Sequence, residues 1–213
     1  MPFDFLRRRK DGDHESPLPA KVASGRRGVP FEGLTEEWRI VGRMDVEGRL
    51  SDALNKREAI AITDVQWAPV DGSSPLAPAP GLKSVDPYDL IIVLAGEDTL
   101  PPLTDAEREA YKVHKIAYDV ALEAPPFRVI GTVHLYPGSE PERLLDRATD
   151  MFVPVVDAVA SVGGTPITEP LDAILVNRSY LRGVEQVDRR TGERHERLPG
   201  APLGGVSWQD RSR

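Results

Sequence analysis

Cysteine is absent from the 213 residues, which removes several kinds of chemistry at once. There can be no disulfide, no thiolate metal ligand and no cysteine nucleophile. Histidine occurs only four times, without His-x-His or His-x-x-x-His spacing, whereas a metal site needs about three or four converging ligands. The serines lack a Gly-x-Ser-x-Gly setting, and Gly163-Gly164 is not followed by the lysine and helix of a phosphate loop. The sequence therefore predicts no catalytic centre, cofactor or metal ion.

Long apolar runs are also missing. The longest, around residues 90–94, has the length of a strand and falls far short of the roughly 20 residues that cross a bilayer. A secretory signal places cations before its apolar segment, whereas here residues 1–6 precede a cluster of four cations. The sequence therefore predicts a cytoplasmic protein, with peripheral attachment to the inner face of the membrane as an option.

The 20 prolines and 18 glycines exceed the average share of about 12% and favour turns and short strands over a helical bundle. The net charge of −7 is unevenly distributed. Residues 1–35 and 189–213 are basic on balance, whereas residues 36–188 carry 14 basic and 26 acidic side chains. Because an acidic body repels phosphate backbones, nucleic acid is an unlikely partner for it.

Two terminal segments contain too few large apolar residues to fold. Residues 1–35 are predicted to be a disordered N-terminal arm, and residues 189–213 a flexible C-terminal tail. The N-terminal arm begins with apolar side chains beside cations, which could contact a partner or an anionic membrane. These residues are Phe3, Phe5, Leu6, Arg7, Arg8, Arg9 and Lys10. An inert start to the arm is the alternative.

Between the arms, four blocks of sequence recur in the same order, which predicts an internal duplication. Residues 38–46 align with 127–135, 49–52 with 143–146, 60–65 with 153–158, and 89–93 with 172–176. The first pair alternates apolar residues around Gly42 and Gly131, as expected of strands with a bulge or a close backbone approach. Each copy reads as strand, short helix, strand, loop and strand. The short helices are predicted at residues 49–56 and 141–149, with Asn55 at the C-terminus of the first.

The predicted fold class is therefore α+β and strand-dominated, with two tandem βαββ-like modules. These modules are expected to be small, possible barrels, and related by pseudo-two-fold symmetry. Module 1 covers residues 36–103, and residues 104–188 hold a connector and module 2. In the connector, residues 104–107 form a capping box that starts a helix. Residues 116–122 alternate as in a strand, although the helix could continue through them.

The run from Gly48 to Asn55 is similar to part of a known domain family. It contains Arg-Leu-Ser-Asp and lies between a glycine-containing strand and Ile-Thr-Asp-Val. In this arrangement it resembles a small uncharacterised bacterial domain family. The late segment Val-Asn-Arg-Ser-Tyr-Leu at residues 176–181 is similar to the last strand of that family. The resemblance implies no activity, fold or site residues, and it supports the duplication.

Three polar residues of module 2 form a candidate inter-module site: His134, Asp157 and Asn177. Asp157 matches Asp64, and both are predicted to lie at strand ends, where aspartate ordinarily caps a turn. Paired carboxylates for acid–base chemistry are the alternative if the modules face each other. His134 is predicted to be a surface or cross-strand histidine, and a base or metal site with Glu123 or Asp146 is the alternative.

The sequence thus predicts a non-enzymatic interaction or scaffold subunit of a bacterial assembly, with protein partners. Two alternatives belong to other classes. One is an RNA-binding or other nucleic-acid-binding protein built from small barrels, and the other is a small-molecule sensor with a site between the modules.

Overall fold

A computed structural model describes residues 27–96, 99, 115–146, 150–188 and 191. The strands are β1 (Arg27–Leu34), β2 (Trp38–Val46), β3 (Ile60–Pro69), β4 (Ala77–Pro78), β5 (Ser84–Val85), β6 (Ile92–Ala95), β7 (Ile116–Ala124), β8 (Phe127–Leu135), β9 (Phe152–Val162), β10 (Thr165–Pro166), β11 (Leu171–Asn177) and β12 (Gly183–Gln186). Helix α1 spans Leu50–Asn55, and 3-10 helices span Pro87–Asp89, Pro141–Leu145 and Arg178–Tyr180.

The described strands form one open antiparallel sheet. Its order is β12-β7-β8-β9-β11-β6-β1-β2-β3-β4, with β10 beside β9 and β5 beside β3. The prediction of a strand-dominated protein is confirmed. We call residues 27–96 lobe 1, and residues 115–146 with 150–188 lobe 2.

The two lobes have separate hydrophobic cores on opposite faces of a shared wall, which consists of β6 and β11. In β6, Val93 packs into the core of lobe 1 and Ile92 into that of lobe 2. In β11, Leu175 and Ile174 divide in the same way, and all four side chains are almost fully buried. Because strand side chains alternate between faces, β6 and β11 contribute apolar side chains to both cores.

Strand β1 corrects the predicted N-terminal arm. The predicted arm spans residues 1–35, but residues 27–34 form a strand that pairs with β2 along its whole length. Val29, Phe31 and Leu34 are buried, so this short segment does contribute to the cores. The prediction was wrong there because Gly28, Pro30 and Gly33 disguise the apolar alternation. Residues 1–26 lie outside the described residues.

The connector prediction has two outcomes. Residues 116–124 form β7, which confirms the strand alternative and excludes a helix continuing through residue 122. The turn at Pro125-Pro126 ends this strand. The predicted connector helix from residue 104 and the tail from residue 189, apart from Thr191, lie outside the described residues.

The first hairpin of each lobe has the same register. Leu34 lies opposite Arg39, and Glu123 lies opposite Arg128. The next pairing slips at Gly42 in β2 and at Gly131 in β8. Added β-carbons would meet Thr63 O and Val156 O, respectively, at 2.8 Å. Glycine is required at both positions because the bulged partner strand approaches this closely.

Asp64 and Asp157 occupy those bulges. Their φ angles of 53° and 48° are left-handed, a conformation that aspartate tolerates better than most residues. Both lie inside long strands, β3 and β9, so the prediction that they end their strands was wrong. The strands continue because the bulge absorbs one extra residue and the pairing then resumes.

β6 and β12 pair with the first strand of their lobes in a similar way. β6 pairs with β1 with Ile92 opposite Leu34, and β12 pairs with β7 with Gly183 opposite Glu123. The N–H groups of Ile91 and Arg182 donate to the Leu34 and Glu123 carbonyls, both at 2.8 Å. The alignment of residues 89–93 with 172–176 stays a prediction.

Candidate functional site

A stacked tryptophan pair lies at one end of lobe 1. Trp38 begins β2 and Trp67 lies on β3, where it pairs with Ile40. The ring centroids are 4.8 Å apart and the rings are inclined by 20°. Both side chains follow the alternation of the core-facing residues Ile40 and Val65, yet 37% of Trp38 and 40% of Trp67 is exposed. Offset stacking stabilises the pair, but much of its apolar surface still faces water.

Lobe 2 places different side chains at the same two register positions. Phe127 begins β8 as Trp38 begins β2, and Ala160 lies opposite Val129 as Trp67 lies opposite Ile40. Phe127 is 1% exposed and Ala160 is fully buried. The two positions that are buried in lobe 2 are therefore occupied in lobe 1 by two large aromatic side chains that are partly exposed to solvent.

The surroundings of the pair are acidic and partly apolar. Thr35 fixes the preceding turn, because its Oγ1 accepts a hydrogen bond from the Trp38 N–H at 2.9 Å. Glu36 and Glu37 in this turn are exposed. Ala77 pairs with Trp67. We call Trp38, Trp67, Glu36 and Glu37 the tryptophan patch.

Asp71 adds another carboxylate beyond the end of β3. The backbone N–H of Ser73 donates to Asp71 Oδ1 at 2.8 Å. Hydrogen bonds from the Ser73 backbone and then from its hydroxyl hold the pKa of Asp71 below its ordinary value. This carboxylate is therefore ionised at neutral pH, which favours cationic over anionic ligands.

An open groove of about 550 Å³ lies beside the bulge of β3. It forms because the 79–83 segment bows away from β3, to which it is joined by the Ala79 N–H to Val65 O and Ile62 N–H to Lys83 O bonds. Thr63, Asp64, Gln66 and Lys83 supply its polar groups. One carboxylate and one ammonium group in a shallow groove can hold a polar ligand, but they do not by themselves compose a catalytic centre.

The three residues predicted to form an inter-module site have different environments. Asn177 is fully buried at the end of β11. Its Nδ2 donates to Leu90 O at 2.8 Å and to Pro87 O at 3.3 Å, and its Oδ1 accepts from the Ser179 N–H at 2.9 Å. His134 is exposed on β8 opposite Ala117, and Asp157 is exposed at the β9 bulge. The amide of Asn177 thus joins the lobes instead of facing a ligand.

A second asparagine joins the lobes in the opposite direction. Asn55, the last residue of α1 in lobe 1, accepts from the Phe152 N–H at 2.8 Å and donates to Phe152 O at 3.5 Å. Phe152 itself packs into the core of lobe 1, although it belongs to β9. The predicted position of Asn55 at a helix C-terminus is confirmed, and its side chain bonds to the other lobe.

Arg178 holds a turn of lobe 2 in place. Its guanidinium donates to the carbonyls of Leu144, Arg143 and Asp146 at 2.6–2.9 Å. Burial lowers the pKa of Arg178, while the charges of Asp150 and Asp146 oppose this shift. Of the helix predicted at residues 141–149, the structure has a 3-10 helix over Pro141–Leu145, and residues 147–149 lie outside the described residues.

Among the described residues, no three side chains from histidine, cysteine, aspartate and glutamate are grouped as a metal site would require. In the same residues, no helix has the length and apolar character needed to pass through a membrane. The predicted contact residues Phe3, Phe5, Leu6, Arg7, Arg8, Arg9 and Lys10 lie outside the described residues.

No family model matches the chain, and neither a curated protein nor a solved structure is detectably similar to it. The fold and the side-chain geometry therefore carry the functional argument. Sequence reasoning missed the tryptophan patch, although one signal was available. Trp38 and Trp67 occupy core-facing strand positions. The first aligned block sets Trp38 against Phe127, and the third block, carried two residues further, sets Trp67 against Ala160.

Proposed function

We propose that the two lobes are copies of one module, related by pseudo-two-fold symmetry and fused through β6 and β11. Three correspondences support this: the register of the first hairpin, the glycine and aspartate pair at each bulge, and the turn before the last strand. In that turn, Asp86 accepts from the Tyr88 N–H and Asn177 from the Ser179 N–H, both at 2.9 Å. The resemblance of residues 48–55 to a bacterial domain family stays a prediction.

We infer that the chain is a non-enzymatic interaction subunit with the tryptophan patch as its binding surface. The observation that carries this is the exposure of Trp38 and Trp67 where lobe 2 buries Phe127 and Ala160. Large aromatic side chains are the residues most enriched among interface hot spots. Glu36 and Glu37 beside the rings favour a partner that offers apolar and cationic side chains together.

The N-terminal arm supplies a second contact in this proposal. Its four consecutive cations follow two phenylalanines and a leucine, a combination that adds electrostatic attraction to shallow insertion at an anionic membrane. In a bacterial assembly, such an arm would hold the subunit at the inner face of the membrane while lobe 1 binds its partner.

Single-stranded nucleic acid is a second candidate, and the stacked rings are the observation that favours it. Bases stack on exposed aromatic side chains with a gain of about 1–3 kcal/mol each. The acidic balance of residues 36–188 opposes it, because a phosphate backbone would approach Glu36, Glu37 and Asp71. Quenching of tryptophan fluorescence by an oligonucleotide at low salt would favour this function over a protein partner.

The proposal is tested by purifying the full chain under native conditions and quantifying what accompanies it. A Trp38→Ala/Trp67→Ala variant is compared with Tyr136→Ala, which removes an aromatic side chain that is 58% exposed in lobe 2. We expect one protein in fixed ratio with the wild type and with Tyr136→Ala, and its loss from the double variant. Equal recovery from all three proteins would refute the role of the tryptophan patch.

A further inference from the structure

The tryptophan patch has a border of carboxylates. The N–H of Val70 donates to Glu37 O at 2.8 Å, so the segment that follows β3 lies beside the turn that precedes β2. Glu36 and Glu37 in this turn are exposed, and so is Asp71 in the segment after β3. Three acidic side chains therefore surround the end of lobe 1 at which the two indole rings face solvent.

The two ends of lobe 1 differ in charge. Arg39, which follows the first tryptophan, forms an ion pair with Glu32 at 2.8 Å, so the patch end stays negative on balance. At the opposite end, β2 finishes at Val46 and β3 starts at Ile60. Three acidic and three basic side chains are exposed between them, namely Glu47, Asp52, Glu58, Arg49, Lys56 and Arg57. A cationic ligand is therefore attracted to the patch end more than to the opposite end.

The N-terminal segment of the same chain, residues 3–10, has the complementary composition. It contains Phe3, Phe5 and Leu6, followed by four cations. With its single carboxylate, Asp4, the side chains of this segment sum to 4 − 1 = +3. Aromatic side chains pack favourably on one another in offset or edge-to-face arrangements, and arginine also stacks on indole rings. The segment thus offers the apolar and cationic side chains that the patch favours.

We propose that residues 3–10 occupy the tryptophan patch of their own chain, with the phenylalanines against the indole rings and the cations against the carboxylates. The inference rests on the proposed function, and it names the occupant of the patch when no other partner is bound. In lobe 2, Phe127 and Ala160 at the corresponding positions are buried by the lobe itself. In lobe 1, the N-terminal segment supplies the cover.

The chain is long enough for this contact. β1 begins at Arg27 and ends at Leu34, next to the turn of the patch. Its eight residues span about 26 Å at about 3.3 Å each, so the segment must come back over roughly that distance. Sixteen residues, 11–26, separate the segment from β1, and this number of residues reaches about 55 Å when extended. The available length is therefore about twice the distance to be covered.

The covalent link strengthens a contact that would be weak between separate molecules. A ligand joined to its site by a linker that can span the distance acts at an effective concentration on the order of millimolar. Charge complementarity adds to this and becomes weaker as salt rises. The segment can therefore occupy the patch within one chain even if a free peptide of the same sequence binds poorly.

Occupation by residues 3–10 makes the patch conditional on the membrane. When the patch is open in about one tenth of the molecules, the apparent dissociation constant of an external partner rises about tenfold. An anionic membrane attracts the same phenylalanines and cations, so attachment of the segment to a membrane opens the patch. By linkage, a partner bound at the patch favours membrane attachment equally.

Disulfide formation within the full chain tests the contact, since the chain has no cysteine of its own. Lys10→Cys is combined with Glu37→Cys in one chain and with Glu47→Cys in a matched control, so each loses one cation and one exposed carboxylate. Residue 47 follows Val46, which pairs with Arg27. An N-terminal segment without a preferred contact would therefore meet residue 47 more often than residue 37.

We expect the internal disulfide to form at least about tenfold faster at residue 37 than at residue 47, because docking raises the local concentration of the thiol. Equal rates, or a faster reaction at residue 47, would overturn the proposal. Disulfide-linked dimers in place of the internal bond would also overturn it, because the occupant would then come from a second copy. The reduced variants should melt like the wild type, since all the substituted carboxylates are exposed.

Further variants of the Lys10→Cys/Glu37→Cys chain separate docking from simple proximity. Glu36→Lys keeps both indole rings and should slow the reaction, whereas Glu58→Lys at the opposite end of lobe 1 should not. Vesicles of anionic lipid should also slow it, and vesicles of neutral lipid should leave the rate unchanged. Insensitivity to Glu36→Lys and to anionic vesicles would contradict the proposed contact.

The disulfide measurement needs no external partner, so its failure is distinguishable from failure of the proposed function. Equal rates at residues 37 and 47, together with loss of a co-purifying protein from Trp38→Ala/Trp67→Ala, would overturn this inference alone. Faster reaction at residue 37, with the same protein recovered from the wild type and the double variant, would support the internal contact and refute the patch as a surface for that protein.

Discussion

The side-chain amide of Asn177 in lobe 2 donates a hydrogen bond to the carbonyl oxygen of Leu90 in lobe 1 at 2.8 Å. The same amide reaches Pro87 O, and its oxygen accepts from the Ser179 N–H. All this occurs at a fully buried position. One side chain therefore bonds to the turn that follows it in lobe 2 and to two backbone carbonyls of a turn in lobe 1.

Asn177→Asp should destabilise the protein more than a surface substitution does. The carboxylate would face two carbonyl oxygens without donating to either, and removing partners from a buried polar group costs about 1–3 kcal/mol, more when a charge is involved. We expect the free energy of unfolding in urea to fall by at least about 2 kcal/mol. Asp86→Asn, which keeps the same turn at an exposed position, should change it by about 0.5 kcal/mol or less. Equal effects of the two substitutions would contradict the assigned role.

Gly131→Ala tests the close approach at the second bulge. Its β-carbon would lie 2.8 Å from Val155 Cγ1 and from Val156 O, and overpacking of this kind costs about 1–3 kcal/mol. Gly81→Ala is the control, since nothing lies within 4 Å of its added β-carbon. Thermal unfolding should show a clear loss for the first variant and little change for the second. A similar melting temperature for both variants would contradict the prediction, because β9 would then have moved to make room for the added β-carbon.

Asp64 tests the left-handed backbone at the first bulge. At a φ of 53°, Asp64→Gly removes steric strain, whereas Asp64→Val introduces a β-branched residue into a conformation that costs ordinary residues about 1–2 kcal/mol. We expect the glycine variant to match the wild type in urea unfolding and the valine variant to lose roughly that amount. Thr63→Val, at the preceding exposed position, should be close to neutral. Equal stability of Asp64→Gly and Asp64→Val would argue against the bulge.

Deletion of residues 1–10 should leave folding unchanged and weaken association. The segment precedes β1 by more than a dozen residues, so the melting temperature should not move. Each cation near an anionic surface contributes about 1 kcal/mol, so co-sedimentation with anionic vesicles should fall sharply. Vesicles of neutral lipid provide the control. If the deleted chain sedimented with anionic vesicles as the full chain does, the membrane contact would be excluded.

Part of the fold could be predicted because strand alternation is a local signal. β2, β3, β7, β8 and β9 follow from apolar periodicity, and α1 falls within the helix predicted around residues 49–56. The edge strands could not be predicted in the same way. β12 holds only Gly, Val, Glu and Gln, and it is a strand because β7 offers it a partner.

The side chains of the site were harder to predict than the strands. The sequence predicts Asn177 as a polar candidate, but its burial against Leu90 and Pro87 depends on which strands meet in the wall, and local apolar alternation does not determine strand order. Trp38 and Trp67 have ordinary core spacing. Their exposure depends on which residues cover the end of each lobe, and the apolar alternation within a strand does not predict that.

Site-specific photo-crosslinking tests most directly whether the tryptophan patch is an interaction surface. A photoreactive residue replaces Glu37, which is exposed beside Trp38, so that both rings stay in place. The control carries the same residue at Tyr136 in lobe 2. On irradiation in the native cell we expect a discrete covalent adduct from position 37. It should be absent from position 136 and lost when Trp38→Ala is added. No adduct at position 37, or the same adducts from both positions, would contradict the account.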